Sequence, residues 1–257
     1  IKEYHVKDKK GKTHTKKETH YGFREHVIVD TRSELPICFM VTSANTDEKK
    51  TMIELLKHMS AERLTRMEYL MLDRGYDSTA MLDTVRKKGV KPIIDNRLMR
   101  KGDKTMQYRD TNIWYTESGE CYYLDYGEDE VEGEKINEVT GLPKYFRQMK
   151  YEGYDKKRKS LRYSYRGRVY RIKVSDEPRI FNEVARNSKK FKRLYQERTS
   201  VERYNGRIDR DYGMENHSIR GLKKMTVEIT WINIIMLAMA KAHMVKGQSN
   251  YASMLKF

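Results

Sequence analysis

Four residues in this chain combine types and spacings that could do chemistry: Asp73, Tyr195, Arg198 and Glu202. The last three follow one another at three and four residues, which on a helix stacks their side chains along one side. Gly206 comes one turn later on the same stripe, and a glycine inside a helix costs about 1 kcal/mol against alanine. Its use there implies a close approach to the backbone, and a phosphate or a metal ion would fit. Arg198 and Glu202 alone are also what a solvated i, i+4 salt bridge looks like, worth about 0.3 to 0.5 kcal/mol. A salt bridge does not account for Asp73. It ends an apolar run, where a carboxylate is costly to desolvate unless a cation pairs with it; its plainer alternative is a strand-ending aspartate that caps the next turn.

The elements that must position these residues can be read from periodicity. Leu194, Val201, Ile208 and Tyr212 recur at seven and four residues and predict one amphipathic helix over 194–212. Met67–Leu72 is too short for a helix and suits a buried strand ending at Asp73. The DRGYDS turn leads into a helix over Thr79–Lys88, stopped by Gly89, and a strand over Val90–Ile94. Upstream, Tyr21–Thr31 and Leu35–Thr42 read as an antiparallel hairpin about the turn Arg32–Glu34. A helix with a cap-rich start at Asn45–Lys49 runs from there to about Arg66. This order predicts an α/β fold, a mixed sheet flanked by helices, and ligand sites in such sheets gather beyond the carboxyl ends of parallel strands, where Asp73 falls. Asp30, at the far end of the first hairpin strand, reads as a turn residue.

From 97 to 180 short aromatic runs alternate with polar turns, and an acidic patch covers 127–138, which predicts a β-rich insertion with mobile loops. Tyr and Arg interleave from Lys159 to Arg171. That pattern suits a surface for phosphates and stacking, and equally half-buried strands with basic outer faces. Residues 1–20 read as a polar, basic loop or hairpin without chemistry. After Gly213 a loop carrying His217, Arg220, Lys223 and Lys224 precedes an apolar helix over Val227–Met244, and its basic residues suit a DNA backbone.

The net charge is +16 over 257 residues. A charge of that size points to a polyanionic partner, nucleic acid above all, or else to a merely basic soluble protein. Cys38 and Cys121 form no paired motif, so no disulfide framework and no thiolate zinc site is expected, which suits a reducing cytosol. The apolar run Ile229–Ala242, interrupted by Asn233 and Lys241, reads as a buried terminal helix too short to span a bilayer, so no membrane partner is expected. The first residue is Ile1 rather than a methionine, so the chain is expected to begin inside a longer one.

The segments YGFREHVIVDTRSELPICFMVTSANTDEKK, YLMLDRGYDS and YQERTSVERYNGRI, followed by HSIRGLKKM, resemble the DDE transposases of bacterial insertion sequences. The group in question has an RNase H-like catalytic domain and a Tyr-x2-Arg-x3-Glu-x6-Lys signature. The resemblance implies an RNase H-like domain built from 1–96 and 181–257, with 97–180 inserted before the last catalytic helix. It makes Asp73 the second catalytic aspartate and Glu202 the catalytic glutamate, both ligands of two Mg²⁺ or Mn²⁺ ions, and it sets Tyr195 and Arg198 at the first two signature positions. The lysine position is occupied by Asp209, so its DNA contact passes to Arg207 or Arg210. Arg198 and Arg203 would steady non-bridging phosphate oxygens, and Lys223 and Lys224 would grip the backbone. The first aspartate and its strand are expected upstream of Ile1. The implied reaction is cutting of double-stranded DNA at element ends and joining to a target within a dimeric synapse, in the cytoplasm and on the nucleoid. Two other readings stay open: a nuclease that cuts without joining, and a catalytically inactive remnant that only binds DNA.

Overall fold

The computed structural model describes residues 2–7, 13–18, 22–96, 105–125 and 145–247. By internal contacts the chain divides into two units, Ile1–His58 with Thr199–Phe257, and Met59–Arg198.

The first unit opens with an antiparallel pair, β1 (Lys2–Lys7) and β2 (Thr13–Glu18). A second hairpin follows, β3 (Phe23–Val29) and β4 (Pro36–Ser43), in the register Val27 to Phe39. Asp30 makes its turn: Oδ2 accepts from both the backbone N–H and the hydroxyl of Ser33, each at 2.7 Å, as expected of a turn residue. Helix α1 (Glu48–His58) starts where Asp47 Oδ1 accepts from Lys50 N at 2.9 Å. The single helix expected to reach Arg66 is two, because Ser60 caps a fresh start by accepting from Arg63 N.

The second unit begins with that start, α2 (Ala61–Arg66), and continues into β5 (Tyr69–Leu72). Ser78 caps α3 (Thr79–Lys87), and β6 (Lys91–Ile94) then returns parallel to β5, with Leu72 opposite Ile94. A parallel pair joined by a helix is the arrangement that the strand, turn, helix, strand order predicts. The described residues between 105 and 173 are rich in strands. Strands β7 (Met106–Gln107), β8 (Ile113–Tyr115), β9 (Cys121–Leu124) and β10 (Phe146–Gln148) form an antiparallel sheet in that order. Strands β11 (Lys150–Asp155), β12 (Ser160–Tyr165) and β13 (Arg168–Lys173) form another. The acidic patch at 127–138 lies outside the described residues. In β12 and β13 the period-2 rule assigns the interleaved residues: Leu161, Tyr163 and Ile172 enter the core, while Arg162 and Arg171 face each other on the other side. The tyrosines therefore serve packing rather than stacking on a ligand.

Helix α4 (Lys189–Gln196), capped by Ser188, packs Phe191 and Leu194 against Ile93 and Val184. A 3-10 turn over Glu197–Thr199 then interrupts the helical run, and α5 (Ser200–Tyr212) belongs to the first unit. The continuous helix expected over 194–212 is thus broken, and Tyr195, Arg198 and Glu202 do not share one helix face. The buried face of α5 is Ser200, Tyr204, Arg207 and Ile208, whereas Val201 and Tyr212 are only half-buried. Gly213, with φ 66°, ends the helix in the left-handed conformation.

Helix α6 (Leu222–Val245) closes the described chain, burying Met225, Ile229, Ile232 and Met236 with Val41, Tyr204 and Ile208. Two expectations need correction. At 24 residues α6 is long and apolar enough to cross a membrane by length and composition alone. It is also not buried all round, since Trp231 is 58% exposed. One face of it packs on β4 and carries the buried Asn233.

Candidate active site

In the second unit the site is built at the carboxyl end of the parallel pair. β5 delivers Asp73 and β6 delivers Asp95, one residue beyond the paired Leu72 and Ile94. Asp73 opens a 3-10 turn, Arg74–Tyr76, but its side chain makes no cap hydrogen bond, so the capping alternative does not describe it. Its carboxylate is exposed, and the Tyr195 hydroxyl donates to Oδ1 across a long 3.4 Å. Asp95 is committed to Arg74, whose Nε donates to Oδ2 at 2.6 Å. Asp95 was passed over in the sequence, although the signal was there in two apolar strands that each end in aspartate.

Tyr195 reaches this corner from α4, its ring stacked on Phe191 at 5.8 Å with the planes 11° apart. The Arg198 guanidinium lies 5.8 Å from the same ring. Burial, and then the nearby Asp73 and Asp95, push the Tyr195 phenol above its ordinary range, so it stays a donor. Behind the strands, Arg186 donates to the carbonyls of Ile94 and Ile180 at 3.0 and 2.6 Å. Arg179 holds the buried Asp77 through two N–H groups at 3.1 and 2.9 Å. Burial lowers Arg186 to about 10, still a cation at neutral pH. The bond from Arg186 to the Ile94 carbonyl fixes the end of β6, next to Asp95.

In the first unit Glu202 is exposed in the first turn of α5, where the helix dipole favours a carboxylate. Gly206 follows one turn later, and a Cβ added there would meet nothing within 4 Å. No neighbour within the protein therefore requires glycine, and the open space is compatible with an outside group. Arg203 and Arg207 are turned to the hairpin. Arg203 pairs with the Glu34 carboxylate and donates to Thr199 Oγ1 at 2.9 Å. Arg207 is buried and donates to the Glu34 carbonyl. It anchors α5 instead of presenting a cation at the surface, which corrects its expected role. Arg210 pairs with Asp211 at 2.6 Å. Lys223 and Lys224 are exposed in the first turn of α6 and take part in no ion pair among the described residues.

As a metal site the residues agree in kind: exposed carboxylates are the hard oxygen donors that Mg²⁺ and Mn²⁺ take. No group of three His, Cys, Asp or Glu able to hold a metal ion occurs among the described residues.

A segment of 94 residues is 26% identical to a putative transposase for insertion sequence element IS402 from Burkholderia cepacia. It covers 34% of this chain and 44% of that protein, so the chain spans less than half the length of the curated relative it matches. No solved structure matches. The model of the transposase DDE domain matches residues 2–238, which takes in both units, Asp73 and Glu202 alike, and on that extent the chain belongs to the DDE transposase family.

Proposed function

We propose that this chain is the catalytic domain of an insertion-sequence transposase that cleaves DNA at element ends and transfers the strand to a target, with an RNase H-like domain formed by 1–96 and 181–257. The observation that carries the proposal is the place of Asp73. It stands at the carboxyl end of a parallel strand, its carboxylate unused by the turn it opens and facing the tyrosine of the Tyr-x2-Arg-x3-Glu signature.

Asp73 and Glu202 would hold two Mg²⁺ or Mn²⁺ ions, which supply activation of water or a DNA 3′-hydroxyl and stabilisation of the departing oxygen. The chain's own residues do the rest. Tyr195, kept protonated, donates a hydrogen bond to Asp73 and orients it. Arg198 offers planar two-point contacts to non-bridging phosphate oxygens, and Arg203 adds its own only by exchanging its Glu34 partner. Arg210, Lys223 and Lys224 hold the backbone of double-stranded DNA, two copies of the chain serving one synapse.

Asp73→Asn and Glu202→Gln test this on supercoiled plasmid carrying the element ends. Each is expected to lower Mn²⁺-dependent nicking and joining at least about 100-fold, the order lost when a transition-state contact is removed, while DNA affinity stays within about twofold. Nicking that survives both substitutions would overturn the assignment. Nicking without joining of supplied 3′-ends would leave a nuclease. Absent Mn²⁺ heat in calorimetry of the parent would leave a DNA-binding protein only.

A further inference from the structure

Within the second unit lies a cleft of about 630 Å³ lined by none of the residues gathered at Asp73. Its walls come from α3, from the β11–β12 turn and from the segment after β13. Five cations line it against two carboxylates, Asp83 and Glu183. One cation is structural: Arg86 Nη2 donates to the carbonyl of Pro178 and to Asn182 Oδ1 at 2.8 and 2.6 Å, which ties α3 to the far wall. The other four, Lys157, Arg158, Lys159 and Lys173, form no ion pair among the described residues, although the protein has acids enough to pair many of its surface cations.

The four are carried on a defined backbone. Asp155 Oδ1 accepts from Arg158 N at 3.0 Å, and Val174 N–H donates to the Lys159 carbonyl at 3.2 Å. Lys159 itself sits at φ 48°, a conformation that a side-chain-bearing residue adopts at a cost of about 1 kcal/mol or more. Asp155 and Asp176 offset part of this charge, and three consecutive exposed cations beside a fourth still leave the cleft net positive, which a bound anion would neutralise. One phosphate ion would satisfy one or two of these side chains. Four call for several phosphates in a row, and Tyr154 adds an aromatic ring to the lining.

We infer that this cleft is a second nucleic-acid contact, holding the phosphodiester backbone of a DNA strand against the insertion. The inference rests on the proposed function above and adds to it a binding surface separate from the carboxylate site. Lys157→Ala/Arg158→Ala/Lys159→Ala removes three exposed cations from the turn. Fluorescence anisotropy on a labelled 30-base-pair duplex, repeated over a salt series, reads the outcome. The slope of log affinity against log salt is expected to fall by about 2 to 3, close to 0.9 per lost phosphate contact. Lys49→Ala/Lys50→Ala/Arg63→Ala, the same loss of charge elsewhere, should change it by less than about 1. Lys173→Ala, on the neighbouring strand β13 opposite Ser160, should lower the slope by about 1 and serves if the triple variant does not fold. A parent that binds DNA with a slope unchanged in the cleft variants, or lowered equally by the control, would overturn the inference and leave the proposed function intact. A parent that binds no DNA would overturn both.

Discussion

At the scale of single residues, what separates Asp73 from Asp30 is where each carboxylate spends its hydrogen bonds. Asp30 Oδ2 accepts twice from Ser33, whereas Asp73 meets one distant phenol. Glu25 shows the opposite use of a carboxyl. The Tyr204 hydroxyl lies 2.8 Å from Glu25 Oε1 and 2.7 Å from Asn233 Oδ1, and its one hydrogen cannot serve two acceptors. Burial raises the Glu25 carboxyl above its ordinary range, and the hydrogen bonds of Tyr204 and Asn233 only partly oppose it. Since the folded value lies above the unfolded one, the contribution of Glu25 to stability is complete below the unfolded carboxylate range. It is lost as pH rises through the folded value. Glu25→Gln keeps a neutral hydrogen-bonding group, so its melting temperature relative to the parent should rise from pH 5 to pH 8; a constant difference across that range would show that Glu25 does not titrate in the fold.

At the scale of elements, the helix that carries Glu202 is held by a turn. Glu34, in the left-handed region at φ 55°, offers its carbonyl to Arg207 and its carboxylate to Arg203, with a second, looser approach to Arg207 at 3.9 Å. One residue thus fastens α5 to the β3–β4 hairpin and fixes the direction in which the first turn of α5 presents Glu202. Glu34→Ala removes the carboxylate from beside a buried guanidinium and should cost about 1 to 3 kcal/mol, read as a fall of roughly 2 to 10 °C in melting temperature. Glu34→Gly loses the same carboxylate but relaxes the backbone, so it should melt higher than the alanine variant. Equal melting temperatures would mean that the positive φ stores no strain.

Across the whole molecule, a charge of +16 makes attraction to the phosphate backbone the largest contribution to any DNA affinity. Lys223 and Lys224 stand at the amino end of a 24-residue helix, where a cation opposes the helix dipole. Their cost to the fold is offset if that end receives a phosphate. Lys223→Ala/Lys224→Ala should lower the salt slope of DNA binding by about 2 and leave or slightly raise the melting temperature. Unchanged binding across the salt series would remove α6 from the DNA surface.

Periodicity and end signals along the chain were enough to determine the hairpin, the β5, α3, β6 order, the β-rich stretch and the placing of Asp73, because burial repeats at 2 and 3.6 residues and caps are local. Two things lay beyond it. The break between α4 and α5 depends on which surface each half of one helical pattern packs against, Leu194 with Ile93 and Tyr204 with Val41, and no spacing within 194–212 carries that information. The partners of charged groups were likewise decided by distant segments: Arg207 faces Glu34 and Arg74 faces Asp95 because strands and helices far apart in sequence bring them within hydrogen-bonding reach. A side chain's type sets what it can bind, and only the tertiary packing around it decides which partner it meets.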